Sequence, residues 1–396
     1  MLQLFLPTLC GHTSHSVLVC VKQCACQLMH NASFEESRSV FECLLALHDL
    51  DGEDLVDGMR VNRIHGPLRG LADELLSEYS NRLLSSVKST ATFTLLAKRL
   101  KALFHFGGCS YMEHLFIDKP VMLSRLLETL RQCFSFNVLK SLDSTAAMIW
   151  VKNPASTSKG SGRWMSTTGE CAVLLPRMQP GLAFLHSPDH YNAVASLCRT
   201  FGRICLETQC VKGVRVFDFA TRAYTEYLLC EGPKDDIWCL KAASACVALN
   251  EVIFGCKTNE QKGEDGSSEM ANRYLGRAIA SFIEEYASEN LWEKVLNEAN
   301  PKMVPLGCAM LEAFGVFSRV LGAKFKDGHE FLPAVLYCLL DKLEDANCKL
   351  QEAAELSLMA ICANCGYSCL ADLLLENSDF LIDVLVRHLH HLQLYP

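Results

Sequence analysis

The chain has 396 residues and half of them are hydrophobic, so its composition predicts a large folded core and excludes a disordered chain. Because a single compact core seldom grows beyond about 250–300 residues, this length indicates either several domains or one elongated repeat array. The 37 basic and 45 acidic residues give a formal net charge of −8, which argues against direct binding to nucleic acid or to an anionic membrane surface. No apolar stretch of about 18 residues is uninterrupted, so we expect no membrane span.

The 21 cysteines are unusually many for a chain without a disulfide-rich composition. An odd number cannot pair completely, and most of them lie inside apolar helical runs, where a free cysteine acts as a small hydrophobic residue. We therefore expect a reducing compartment, the cytoplasm and also the nucleus. The apolar start of the chain has no basic residue ahead of it and is interrupted by Pro7, His12 and His15, so it does not resemble a secretory signal.

Helical periodicity dominates the first part of the chain, with apolar residues returning at steps of three and four. Residues 1–35 are an atypical N-terminal segment, and residues 36–151 are predicted to form helical repeats. Two helices are predicted between residues 60 and 106, and the second is expected to close at Gly107-Gly108. Pro120 suits the first turn of the next helix, where its missing N–H group has no helical partner.

Two polar segments interrupt the helices. Residues 152–171 are rich in Ser, Thr, Gly and Lys and are predicted to be a flexible linker, and residues 257–269 are predicted to be a flexible loop. Helical repeats are expected between them, over residues 172–256, with one helix beginning at Ser187-Pro188-Asp189. Residues 270–396 are predicted to be C-terminal HEAT-like repeats that end within the array.

The clearest repeat unit lies at residues 331–366. A helix with Pro333 in its first turn leads to an acidic turn at 344–347 and then to a second apolar helix. Two such antiparallel helices approach the roughly 40-residue period of HEAT repeats, and each pair needs a neighbour to cover its apolar face. The predicted fold is therefore all-α, a HEAT-like (armadillo-type) α-solenoid of stacked antiparallel helical pairs. A compact helical bundle of two domains is the alternative.

Features typical of nucleotide binding and of nucleophilic catalysis are weak. The nearest phosphate-loop candidate, Lys159-Gly160-Ser161-Gly162, follows no predicted strand and lacks the Gly-Lys-Ser/Thr ending, so a solvated loop is the better interpretation. No Gly-x-Ser-x-Gly elbow occurs in the sequence. We predict no catalytic residues, no cofactor and no enzyme activity, and the pattern assigns no residue to partner binding.

Three groups of cysteine and histidine have spacings that could hold a metal ion. They are Cys20, Cys24, Cys26 and His30 with His12 and His15 upstream, the group Cys362, Cys365 and Cys369, and the helical pair His388 and His391. Such spacings arise by chance in a chain with 21 Cys and 13 His. Core or structural roles are therefore favoured over a zinc site, and no bound metal is predicted.

Two further sets of side chains have both a structural and a functional interpretation. The paired carboxylates lie near predicted helix ends or on polar faces, which favours solvated surface over a general acid–base pair. These pairs are Asp235-Asp236, Glu284-Glu285 and Glu344-Asp345. The aromatic residues lie in helical register with aliphatic residues and are predicted to pack in the core. They are Trp238, Trp292, Phe314 and Phe317.

Three stretches of the chain together resemble one family. They are Trp238 through Leu249-Asn250-Glu251 to Gly255, Glu284-Glu285-Tyr286 to Trp292, and a C-terminal stretch with Cys365-Gly366-Tyr367, Asn377-Ser378-Asp379 and Leu392 to Pro396. The pattern is similar to that of the Tti-one family, the large HEAT-repeat subunit of the TTT co-chaperone complex. It departs from the family at Phe380 and His390, where tyrosine and arginine are usual. Family members are longer than this chain, which is expected to be a fragment or short form.

The resemblance implies a non-enzymatic scaffold that holds Tel-two and Tti-two type subunits. With the Hsp-ninety machinery, such a scaffold supports the stability of phosphatidylinositol-3-kinase-related kinases (PIKKs) and TOR signalling. A HEAT-repeat nuclear-transport or adaptor protein is the alternative.

Two of the matching motifs also have a local structural interpretation. Asn377-Ser378-Asp379 is predicted to cap the helix that follows, and Cys365-Gly366 is predicted to close the preceding helix.

Overall fold

The fold is all-α and divides into two compact units. The computed structural model describes residues 37–42, 67–136, 188–229, 236–256, 267–288, 291–292, 303–327, 331–382 and 386. In chain order the helices are α1 Pro67–Ser85, α2 Thr90–Ile117, α3 Pro120–Cys133, α4 Pro188–Lys212, α5 Val216–Leu229, α6 Asp236–Phe254, α7 Ser267–Tyr286, α8 Val304–Leu321, α9 Ala323–Asp327, α10 Phe331–Leu343, α11 Cys348–Cys365 and α12 Leu370–Glu376. Unit 1 comprises Met1–Cys133 and Ser187–Ala223, and unit 2 comprises Phe134–His186 and Tyr224–Pro396.

In unit 1 successive helices alternate between two layers. Helix α2 packs on α4 and α1 packs on α3, and each of α1 to α3 also contacts the next helix along the chain. The rings of Phe104 and Phe201 meet edge to face at 5.5 Å and join α2 to α4. The predicted proline start of α3 at Pro120 is confirmed, and α4 begins at Pro188 as predicted.

Helix α2 bends at the pair of glycines where it was predicted to close. Gly108 has φ 51° and ψ −153°, a conformation that only glycine adopts readily, and the helix then resumes as far as Ile117. Gly107 is needed for space, because a Cβ atom there would lie 2.5 Å from Cβ of Tyr111. The predicted helix end at Gly107-Gly108 is therefore confirmed, and a second helical segment follows the kink as far as Ile117.

Unit 2 repeats the same layered scheme. Helix α8 lies between α6 and α11 in one layer, α7 packs on α10 in the other, and α10 pairs with α11. The predicted repeat unit at 331–366 is confirmed, with Pro333 in the first turn of α10 and a short turn before α11. Nearly every residue of α8 is buried, and small residues such as Gly307, Ala309 and Ala313 give its neighbours close access. The predicted all-α fold of stacked helical pairs is thus confirmed in both units.

Side chains from both neighbouring helices bond to the backbone or side chains of α8. Asn250 Nδ2 on α6 donates to the carbonyl of Ala309 at 2.9 Å. From the other side, Ser357 Oγ on α11 donates to the carbonyl of Leu311 at 2.7 Å. Asn250 belongs to the Leu-Asn-Glu motif that carried part of the resemblance. This motif therefore has a structural role, because it joins α6 to α8 by a hydrogen bond.

In the described part of the chain, two helices are long and apolar enough to cross a membrane, judged by length and composition. They are α6 over Ile237–Phe254 and α8 over Val304–Leu321, and α11 with α12, bent by 76° at their break, passes the same test as a pair. The expectation of no membrane span stays a prediction, because length and composition alone do not place a helix in a membrane. Inside the fold, 83% of the α6 window and 89% of the α8 window are buried, and the two helices pack on each other. Packing on both sides accounts for their apolar composition.

Some segment predictions fall on residues that the structure does not describe. The N-terminal segment 1–35 and the predicted linker 152–171 lie outside the described residues. The predicted loop at 257–269 is too long at its C-terminal end, because α7 already begins at Ser267.

Candidate functional site

The Cys365-Gly366-Tyr367 motif, part of the C-terminal stretch that resembles the Tti-one family, lies at the end of α11. Gly366 has φ 77° and ψ 21°, the left-handed conformation that favours glycine, and its N–H group donates to the carbonyl of Cys362. The next N–H group, that of Tyr367, donates to the same carbonyl at 2.9 Å. The predicted helix end at Cys365-Gly366 is confirmed, and the turn directs Tyr367 into a buried position, 7% exposed.

A lysine from α9 joins this turn to the end of α12. Lys326 Nζ lies 4.4 Å from the centroid of the Tyr367 ring and 2.9 Å from Glu376 Oε1. The hydrogen bond to Glu376 raises the pKa of Lys326, and burial raises the pKa of the Tyr367 hydroxyl. We call this cluster, made of Lys326, Gly366, Tyr367, Glu376 and Asn377, the C-terminal corner. Its contacts fix the direction in which α12 leaves α11.

Asn377 closes α12 and does not cap the following helix with its side chain as predicted. Its Nδ2 atom donates to the carbonyl of Leu373, one turn back, at 2.8 Å. The backbone still starts the next helical turn, because the N–H group of Leu381 donates to the carbonyl of Asn377 at 3.1 Å. The prediction is wrong for the side chain because Asn377 both ends α12 and begins the next turn. Its amide group donates to a carbonyl at the end of α12 that has no partner within the helix.

Four apolar side chains next to the C-terminal corner are exposed. They are Leu370 (38% exposed), Leu375 (72%), Ile382 (58%) and Val386 (46%). We call them the C-terminal apolar group. Exposed apolar side chains that form a contiguous surface are typical of protein interfaces. The corner lies beside this group on α12, and the exposed apolar side chains offer contact area to another protein surface.

The C-x2-C-x3-C residues do not form a reactive thiol cluster. Cys362 and Cys365 are buried, and Cys369 is exposed at the start of α12. Burial first, and then the nearby Cys369, raise the pKa of the Cys362 thiol to about 11, which disfavours the thiolate that a metal would need. Within the part of the chain that the structure describes, no group of three or more His, Cys, Asp or Glu is arranged to hold a metal ion. The N-terminal Cys/His group and the pair His388 and His391 lie outside that part.

The described members of the paired carboxylates lie on the surface or in a turn of unit 2. Glu284 and Glu344 are exposed, and Asp345 accepts a hydrogen bond from the N–H group of Asn347 at 2.8 Å, which shapes the turn before α11. Asp235 and the side chain of Asp236 are not among the described residues. The solvated-surface interpretation is therefore supported for Glu284 and Glu344, and Asp345 has a turn-forming role.

The four aromatic residues pack in the core of unit 2 as predicted. Trp238, Trp292, Phe314 and Phe317 are all at most 9% exposed. Trp292 Nε1 also donates to the carbonyl of Tyr286 at 2.7 Å, which satisfies the polar atom of this buried ring. The core prediction is confirmed for each of them.

Sequence reasoning missed Lys326 and Glu376, which complete the C-terminal corner. They are 50 positions apart along the chain. Neither lies in a motif, and both look like ordinary surface charges in a linear sequence. Only the packing of α9 against α11 brings them together.

Comparison with known proteins gives matches to one family. The family model of TELO2-interacting protein 1 matches residues 336–396. The mouse protein named TELO2-interacting protein 1 homolog is 35% identical over 194 residues, which cover 38% of this chain and 18% of that protein. The human protein of the same name is 36% identical over 89 residues, covering 22% of this chain and 8% of that protein. No solved structure matches the chain.

The matched residues coincide with the structural features described above. The family model begins within α10 and includes α11, α12 and the whole C-terminal apolar group. The chain spans less than one fifth of the length of the curated relatives it matches. Over this part of the sequence, the resemblance of the chain to the Tti-one family is confirmed.

Proposed function

We propose that the chain is a non-enzymatic scaffold subunit of the TTT complex. In this role it holds a Tel-two type subunit and, with Tti-two and the Hsp-ninety machinery, supports maturation and stability of PIKKs and TOR signalling in the cytoplasm and nucleus. The observation that carries the proposal is the family match at 336–396, which includes the exposed apolar group and all of the C-terminal corner except Lys326. The names of the relatives describe proteins that interact with TELO2.

The C-terminal apolar group has the chemistry for such an interface. Burying one large aliphatic side chain contributes about 1.5–3 kcal/mol, so Leu375 and Ile382 together offer several kcal/mol to a partner that covers them. They stand on helices whose direction is fixed by the Lys326–Glu376 ion pair and the glycine turn at Gly366. A rigid apolar surface loses little entropy on binding, which favours a stable complex.

The experiment tests the apolar group directly. Tagged full chain, its Leu375→Glu/Ile382→Glu variant and a Val211→Glu control are used for affinity purification with mass spectrometry and for titration with purified Tel-two protein. Val211 is 60% exposed in unit 1, so the control adds one such charge, against two in the double variant, at a comparably exposed apolar site elsewhere. We expect the wild type and the control to retain Tel-two, Tti-two and the kinases, and the double variant to lose them.

Two results would contradict the proposal. If the double variant binds Tel-two as tightly as the wild type, the apolar group is not the interface. If Tel-two, Tti-two and the kinases are absent from the wild-type purification while importin cargo or Ran is enriched, the chain is a transport adaptor and the TTT assignment is wrong.

A further inference from the structure

Unit 1 contains a groove between α1 and α3 that the proposed scaffold role does not use. Its volume is about 420 Å³, within the range of sites that bind small molecules or a few residues of a peptide. Leu76 and Leu126, both 1% exposed, line its floor, and the turn between α2 and α3 closes one end. The two walls carry different chemistry.

The α1 wall presents polar side chains to the groove. Ser77, Ser80 and Asn81 lie three and four positions apart, on one face of the helix, and all three line the groove. Ser80 is only 8% exposed, and its Oγ atom has no hydrogen-bond partner among the residues that the structure describes. A buried hydroxyl without a partner is costly, so this atom marks a place where a ligand would supply the missing bond.

The opposite wall is basic. Arg125 on α3 is exposed and lines the groove, and within the described residues its guanidinium makes neither an ion pair nor a hydrogen bond. Lys119, in the turn, adds a second cation and lies 4.0 Å from Asp73 Oδ2. Asp118 is the one acidic residue in the lining, and its Oδ2 atom is 2.8 Å from His114 Nδ1. The groove therefore offers several hydrogen-bond donors and a net positive charge in a chain whose net charge is −8.

Apolar contact surface lies next to these donors. Val121 is 65% exposed, and the half-buried Met122 follows it in the lining. A methionine side chain adapts its shape to different apolar partners. A ligand that fits both walls carries an anionic oxygen group beside an aliphatic side chain, which is the chemistry of an acidic peptide.

We propose that the α1–α3 groove binds a short acidic peptide segment of a partner protein. A carboxylate of the peptide accepts hydrogen bonds from Arg125 and from the Ser80 hydroxyl, and a neighbouring aliphatic side chain packs on Val121 and Met122. Arginine suits this role because its planar guanidinium matches a carboxylate with two parallel hydrogen bonds. The site lies in unit 1 and is independent of the C-terminal apolar group.

The binding experiment uses the full chain and a defined set of fluorescein-labelled hexapeptides. Each peptide carries Leu or Val next to a variable position that is Asp, Glu, phosphoserine or Gln, with Gly and Ser elsewhere. Binding is measured by fluorescence anisotropy at two salt concentrations. We expect the Asp or Glu peptides to bind at least tenfold more tightly than the Gln peptide, and the difference to shrink at high salt.

Three variants locate the binding. Arg125→Glu is expected to abolish the preference for the acidic peptides, and Ser80→Ala to weaken their binding severalfold while the fold stays intact. Arg215→Glu is the matched control, because Arg215 is an exposed arginine of unit 1 outside the groove. The proposal is overturned if the Gln peptide binds equally well, if only the phosphoserine peptide binds, or if Arg215→Glu weakens binding as much as Arg125→Glu. Circular dichroism confirms that each variant is folded.

Discussion

At the scale of single residues, a buried glutamine holds two helices of unit 1 together. Gln209, 2% exposed near the end of α4, accepts hydrogen bonds from the N–H groups of Phe217 and Asp218 at 3.0 and 3.1 Å. Its Nε2 atom donates to Asp218 Oδ1 at 2.9 Å. The first N–H groups of a helix have no partner inside it, so this side chain caps α5 from the preceding helix. Nothing in the local pattern around Gln209 indicates this role.

Replacing this glutamine should destabilise the junction of α4 and α5. Gln209→Ala leaves two N–H groups at the start of α5 unpaired, and we expect a loss of about 2–4 kcal/mol in the free energy of unfolding. Hydrogen exchange at the amides of Phe217 and Asp218 measures the effect locally. The control is Gln132→Ala, since Gln132 donates only to Glu128 within its own helix and its loss costs about 0.5 kcal/mol or less. Unchanged exchange at both amides in Gln209→Ala would refute the capping role.

At the scale of elements, the glycine pair in α2 decides how that helix lies on its neighbours. The bend at Gly108 allows the second part of α2 to bring Tyr111 against α1, where its hydroxyl donates to Asp73 Oδ1 at 3.0 Å. His114 follows one turn later, with Nε2 3.1 Å from Asp73 Oδ2. A straight helix would direct these two side chains elsewhere. The glycines therefore determine an inter-helix contact as well as a local bend.

Adding a methyl group at this bend should destabilise unit 1. In Gly107→Ala the new Cβ atom meets Cβ of Tyr111 at 2.5 Å, and neither atom can move without shifting the backbone. We expect a loss of about 1–3 kcal/mol, observed as a lower Tm by circular dichroism. Gly70→Ala in α1 is the matched control, because no atom lies within 4 Å of its added Cβ. That change should stabilise the helix by about 0.5–1 kcal/mol, and equal shifts in both variants would contradict the steric explanation.

At the scale of the whole molecule, the cysteines are mainly core residues of both units. Among the described cysteines, Cys133 in unit 1 and Cys246 and Cys338 in unit 2 are buried and free, whereas Cys348 and Cys369 are exposed. Burial raises the pKa of the Cys133, Cys246 and Cys338 thiols to about 12. The prediction that cysteine acts here as a small hydrophobic residue is confirmed for these positions. Layers of closely packed helices need such small side chains throughout.

Thiol reactivity tests this burial across both units at once. At pH 8 a thiol with a pKa of about 12 has roughly one part in ten thousand as thiolate, against about a quarter for an ordinary thiol. Raising the pH increases this fraction, but the buried thiols stay protonated until about pH 12. We expect iodoacetamide at pH 8 to modify Cys348 and Cys369 and to leave Cys133, Cys246 and Cys338 intact, as measured by peptide mass spectrometry. In guanidinium chloride all five should react. Rapid native modification of Cys246 or Cys338 would show that the packing is wrong.

Local signals in the sequence determined the helices and several of their ends. The steps of three and four, the prolines at the starts of α3 and α10 and the glycine after α11 act within a few residues, so a linear reading finds them. Three short sequence stretches together carried the family resemblance. Only the tertiary structure decided the bend at Gly108, the reversed role of Asn377, the Lys326–Glu376 pair and the groove beside Ser80. These features depend on which helices stack on each other. Stacking brings together residues that are far apart along the chain, and the periodic pattern of the sequence does not show which residues will meet.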